Sequence, residues 1–213
     1  MEERILNRNK LLKDNVHNIA ENYKNGQYGN VLNGLPGFYE SLSICLICDS
    51  ESSIDDANEI IKGNKQWKWE NNRYVRVSNS HGRLESSSTI SAAKNSVLQK
   101  LFDTKQETEY KNLYKYLNGI FVSMESSYNL IKQISPGSHS TNATGKYDYK
   151  TLADAEIANL SKFREIAIKE GIISEDTKSS LNDLVIKEKE EEDTHFNSEI
   201  KDAYDAKIEI ECL

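Results

Sequence analysis

The chain has 213 residues, 29% of them charged, with 34 acidic against 27 basic side chains and a net charge of −7. That length allows one domain, or one domain with an extension, and the aromatic and aliphatic content suffices for a buried core, which excludes global disorder. With 2 prolines in the whole sequence, the commonest helix breaker is nearly absent and long helices are favoured.

No apolar run approaches the roughly 20 residues that a membrane span needs, so no membrane partner is expected. The start, MEERILNRNK, is charged and amphipathic rather than a secretory leader. Three cysteines, Cys45, Cys48 and Cys212, make no disulfide framework, so the expected compartment is the reducing cytoplasm. The Lys-, Asn- and Ile-rich composition suits an AT-rich bacterium or its phage.

Residues 2–24 read as a first helix with Ile5, Leu12, Val16, Ile19, Ala20 and Tyr23 on one face, ended by Asn25-Gly26. Residues 26–37 hold four glycines and a proline and read as a loop, without the spacing of a phosphate-cradling loop. Residues 38–48 read as a buried helix carrying Cys45-x-x-Cys48, and the Leu and Ile between the thiols argue for packing rather than redox or zinc chemistry. Ser53 with Asp56 caps a short helix to about residue 62.

Residues 66–77, QWKWENNRYVRV, alternate in a β pattern and predict a small hairpin turning at Asn71-Asn72, with Trp67 opposite Arg76 and Trp69 opposite Tyr74. Ser86-Ser87-Ser88 opens a helix that turns Ile90, Ala93, Val97 and Leu101 inward. The strongest periodicity follows over 107–134, where Tyr110, Leu113, Tyr114, Leu117, Ile120, Phe121, Met124, Tyr128, Ile131 and Ile134 form one stripe. Thr104 and Glu107 are the expected capping box of this spine, and Pro136-Gly137 its stop.

After a polar stretch over 135–150, Thr151 with Asp154 is expected to cap a helix to about residue 170 that buries Leu152, Ala155, Leu160, Phe163 and Ala167. Ser174 opens a long C-terminal helix, interrupted by KEKEEEDTH before an apolar stripe resumes. The expected architecture is mainly α, six to seven helices with one hairpin and a long C-terminal helix, divided into a domain over 1–171 and an acidic extension over 172–213.

Three constellations could carry function. Arg76-Val-Ser-Asn-Ser-His81 has arginine and histidine in the R-x4-H spacing. This resembles the core of HEPN ribonucleases, helical proteins of defence and toxin systems. The resemblance implies a dimeric, metal-independent nuclease in which His81 moves the proton of a ribose hydroxyl and Arg76 stabilises phosphate charge. It departs from the family in having Val77 after the arginine, and in placing the arginine on a predicted strand.

The second is the basic, aromatic knuckle over 62–83, six Lys or Arg against one acid. Lys65, Trp67, Lys68, Trp69, Arg73, Tyr74 and Arg83 would neutralise phosphates and stack on bases of single-stranded nucleic acid. The third is the C-terminal extension, with 13 acidic and 5 basic residues from Ile172 to Leu213, a net −8. Its stripe of Phe196, Ile200, Ala203, Tyr204 and Ile208 would dock on a protein partner, on a second copy, or back on the domain. The scattered histidines and cysteines build no metal site, and no cofactor is implied. The expected function is therefore a non-enzymatic binding protein, a subunit or regulator working through helical interfaces, with the ribonuclease and the nucleic-acid accessory protein as alternatives.

Overall fold

The computed structural model describes residues 2–63, 65–70, 73–78, 86–134 and 148–184, and for the two strand segments it describes the backbone. The fold is mainly α. Helix α1 is Glu2–Leu6, α2 Arg8–Lys24, α3 Tyr28–Ser50, α4 Ile54–Ile61, α5 Ser86–Thr104, α6 Glu107–Ile134, α7 Tyr149–Lys169 and α8 Glu175–Ser180. A 3-10 turn over Asn182–Leu184 ends the described chain. The backbone over β1, Lys65–Glu70, and β2, Arg73–Ser78, pairs antiparallel, with Trp67 opposite Arg76 and Trp69 opposite Tyr74.

Helix α3 is the hub of the packing, lying against α2, α5, α6 and α7. It runs unbroken through Gly29, Gly34, Pro36 and Gly37, where the sequence predicts a loop. Interior proline costs a helix about 3 kcal/mol and glycine about 1. Against that stand Val31, Leu32, Leu35, Phe38 and Tyr39, all buried, each contributing roughly 1.5–3 kcal/mol when removed from water. Burial outweighs propensity here. An 18-residue window of α3 reaches a mean hydropathy of 1.3, enough by length and composition to cross a membrane, but 67% of it is buried inside the fold. Its apolar surface is consumed by the core.

The glycines of α3 are not equivalent. A Cβ on Gly34 would stand 3.3 Å from Ile19 Cγ1, so this position lets α2 and α3 close together. A Cβ on exposed Gly37 would meet Asn15 Oδ1 at 3.7 Å, an ordinary contact. Gly37→Ala should therefore raise stability by about 0.5–1 kcal/mol through the usual helix gain, whereas Gly34→Ala should forfeit that gain to crowding. Chemical denaturation of both variants checks this, and a stabilised Gly34→Ala with an unchanged Gly37→Ala would refute it.

The spine α6 buries Tyr110, Leu117, Ile120, Phe121, Met124, Tyr128 and Ile131, with Leu113 and Tyr114 half-buried. Phe121 meets Phe163 of α7 edge to face at 5.8 Å. The expected capping box is replaced: Thr104 belongs to α5 and donates its hydroxyl back to the Lys100 carbonyl at 2.7 Å. Asp148, not Thr151, caps α7, accepting from the Lys150 and Thr151 amides at 3.0 and 3.3 Å. That cap turns Ala153 and Ile157 inward and leaves Leu152 and Ala155 half-buried. Ser53 and Ser174 do cap α4 and α8, accepting from Asp56 and Thr177 amides.

Helix α8 stops at Ser180, so the expected long C-terminal helix does not continue unbroken from Ser174. Ile172, Leu181 and Leu184 pack into the same core as the residues before Gly171, so residues 172–184 belong to the helical body. The rest of the expected extension, 185–213, lies outside the described residues.

Candidate functional site

Two polar junctions interrupt the apolar interfaces. At the first, Glu156 of α7 accepts the hydroxyl protons of Tyr39 on α3 and Ser127 on α6, so one carboxyl ties three helices. Burial pushes this carboxyl above its ordinary value, and the two hydroxyls partly offset that by favouring the anion. Two residues back along α7, Asp154 accepts from Tyr23 of α2 at 2.6 Å and Lys150 at 2.7 Å.

At the second, Asn9 of α2 accepts at Oδ1 from the Cys45 thiol at 3.4 Å and from the Thr177 hydroxyl at 3.2 Å. Its carbonyl accepts from Ser180 at 3.1 Å, which fastens α8 to α2. Burial raises the Cys45 thiol to about 12 and Cys48 to about 11, so both are protonated near neutrality. A protonated, packed thiol is a poor nucleophile and metal ligand, in keeping with a packing role for this C-x-x-C pair. Among the described residues no group of three or more His, Cys, Asp or Glu side chains could hold a metal ion.

A groove of ≈210 Å³ opens between α2 and α3. Arg8, Leu11 and Asn15, one flank of α2, form one wall. Gly37, Glu40, Ser41 and Ile44 of α3 form the other. Asn15 makes the floor, donating to the Gly37 carbonyl at 3.2 Å and the Ser41 hydroxyl at 3.0 Å, while Ser41 donates to the Phe38 carbonyl at 2.9 Å. Arg8 spends Nη1 on the Ile5 carbonyl at 2.9 Å, and its buried Nε has no hydrogen-bond partner. A drug-sized ligand needs roughly 300–1,000 Å³, so this groove is scaled to a single large side chain with a cation at one end.

Of the residues singled out in the sequence, Lys65, Trp67, Lys68 and Trp69 stand on β1, and Arg73, Tyr74 and Arg76 on β2. Their side chains, together with all of His81 and Arg83, lie outside the described part. So do Phe196, Ile200, Ala203, Tyr204 and Ile208. Arg8, Asn15, Glu40 and Glu156 were not legible as site residues. Each is a single polar residue at the edge of an apolar stripe, and such a position gains meaning only from what faces it on another helix.

No known family, no curated protein and no solved structure matches this chain.

Proposed function

We propose that the chain is a non-enzymatic binding protein, a subunit or regulator that holds a protein partner through the stripe Phe196, Ile200, Ala203, Tyr204 and Ile208. One observation supports this reading: among the described residues an apolar core runs from Leu12 to Leu184, and the sequence stripe at 196–208 follows a highly charged run rather than continuing that periodicity. An apolar face that no core covers is costly in water and is a natural docking element. The preceding stretch carries Glu188, Glu190, Glu191, Glu192 and Asp193, charges that favour water over burial in a core.

Removing 194–213 should leave the melting temperature nearly unchanged while abolishing association. Phe196→Asp with Ile200→Asp should reproduce the loss, because each buries a charge where apolar contact is needed. The measurement is retention of a protein from the native host on wild-type chain and its absence on the variants. Light scattering on the purified pair must then give the mass of a complex. Unfolding on truncation would place the stripe in the core and end this reading.

A further inference from the structure

We propose that Asn25 is a site of spontaneous deamidation, a covalent change that loosens the joint between α2 and α3. The sequence offers the reaction in three places, since Asn-Gly occurs at Asn25-Gly26, Asn33-Gly34 and Asn118-Gly119. In each pair the glycine has no Cβ to shield its amide nitrogen. That nitrogen attacks the Asn side-chain carbonyl carbon, and the new C–N bond closes a cyclic imide. The side-chain nitrogen leaves as ammonia, taking the proton that the backbone amide gives up. Water then opens the imide at one carbonyl or the other, leaving aspartate, or isoaspartate with an extra methylene in the main chain. No oxidant or reductant takes part.

The three sites differ in what must open first. A helical amide points along the axis to a carbonyl one turn back, away from its neighbour's side chain. Gly34 and Gly119 lie inside α3 and α6, with helix on both sides. Freeing either amide means breaking a packed helix in its middle. A Cβ on Gly34 would stand 3.3 Å from Ile19 of α2, and Asn118 follows the fully buried Leu117.

At Asn25 the helix has already ended. Asn25 closes α2 with φ −86° and ψ 3°, and Gly26 follows at φ 69°. The Gly26 amide donates to the Tyr23 carbonyl at 3.0 Å, and the Gln27 amide to the Asn22 carbonyl at 2.8 Å, the pattern of a glycine-terminated helix. Asn25 and Gly26 are exposed, and a Cβ on Gly26 would meet nothing within 4 Å. Releasing these terminal hydrogen bonds frees the nucleophile, and helix ends open at lower free energy than helix centres held in a core.

The isoaspartate product lengthens the main chain just before Gly26. The Gly26 and Gln27 amides then fall out of register with the Tyr23 and Asn22 carbonyls that they bond in the intact turn. Tyr23 belongs to that turn, meeting Tyr28 of α3 edge to face at 5.7 Å and donating to Asp154 of α7 at 2.6 Å.

The test ages the full-length chain in mildly alkaline buffer below its melting temperature. Its proteolytic peptides are weighed over time and labelled with an isoaspartyl methyltransferase. Conversion at Asn25 should run at least about tenfold faster than at Asn33 or Asn118, while in denaturant all three should convert at similar rates. Asn25→Gln, whose longer side chain closes the ring far more slowly, should remove the signal from the folded chain. Aged wild type should melt below fresh chain, and aged Asn25→Gln should not. Conversion of the folded chain at Asn33 or Asn118 as fast as at Asn25 overturns the proposal. So does an Asn25 that stays intact in the folded chain over a period in which the denatured chain converts. Full conversion at Asn25 with no fall in melting temperature overturns the effect on the joint.

Discussion

Leu117→Ala should lower the stability of the whole chain by roughly 2–5 kcal/mol, the largest single-residue effect expected here. Leu117 sits midway along α6 with 0% of its surface exposed, and α6 lies against α5, α3 and α7 at once. Truncation removes the transfer energy of the lost carbons, and the cavity persists because three helices cannot all close on it. A chain of this size loses about 2–4 °C of melting temperature per kcal/mol, so calorimetry should show a drop of roughly 4–20 °C. A cost under about 1 kcal/mol would mean that α6 is not the buried spine.

The next largest effect is expected at the Glu156 junction. Tyr39→Phe keeps the ring against Phe38, 5.7 Å away edge to face, and removes only the hydroxyl that donates to Glu156. The carboxyl then loses one of its two donors, at a cost of roughly 1–3 kcal/mol. The loss should depend on pH with a definite sign. Burial raises Glu156 from 4.5, so the folded chain holds its proton more tightly than the unfolded chain. Its contribution is complete below 4.5, and is lost as pH rises through the raised value.

Glu156→Gln cannot ionise and should remove that decline, so the melting temperatures of wild type and variant should diverge, wild type falling, as pH climbs through the raised value. Glu107 and Asp148 are shifted the other way, below their ordinary values by Lys111 and Thr151, and their effect belongs to more acid solution. Tyr39→Phe should accordingly cost more above the raised value, where an anion needs both donors, than below it. Parallel melting curves for wild type and Glu156→Gln across the range would show that the carboxyl is solvated rather than trapped between helices.

How much of this was legible in the sequence differs from element to element. Helix α6 was readable to its ends, because ten apolar residues at helical spacing leave one way to bury a stripe. Ser53 and Ser174 were readable as caps, since a serine hydroxyl bonds an amide three residues ahead and needs no distant partner. Helix α3 misled, because Gly29, Gly34, Pro36 and Gly37 announce a loop locally. The four helices packed around it decide otherwise. The caps of α6 and α7 misled for a related reason: Thr104 had a carbonyl behind it to bond, and Asp148 stood nearer than Thr151 to the amides that needed an acceptor.

The sequence alone determined most of the core, the helical class and the concentration of acidic charge after Ile172. Those follow from periodicity and charge, which act over a few residues. Tertiary structure alone decided that Glu156 faces Tyr39 and Ser127, and that Arg8 and Asn15 line a groove with Glu40 and Ser41. These partners lie from 25 to 117 residues apart. No local pattern encodes which polar edge of one helix meets which edge of another; close packing of the apolar faces settles it, and the polar residues take the places left to them.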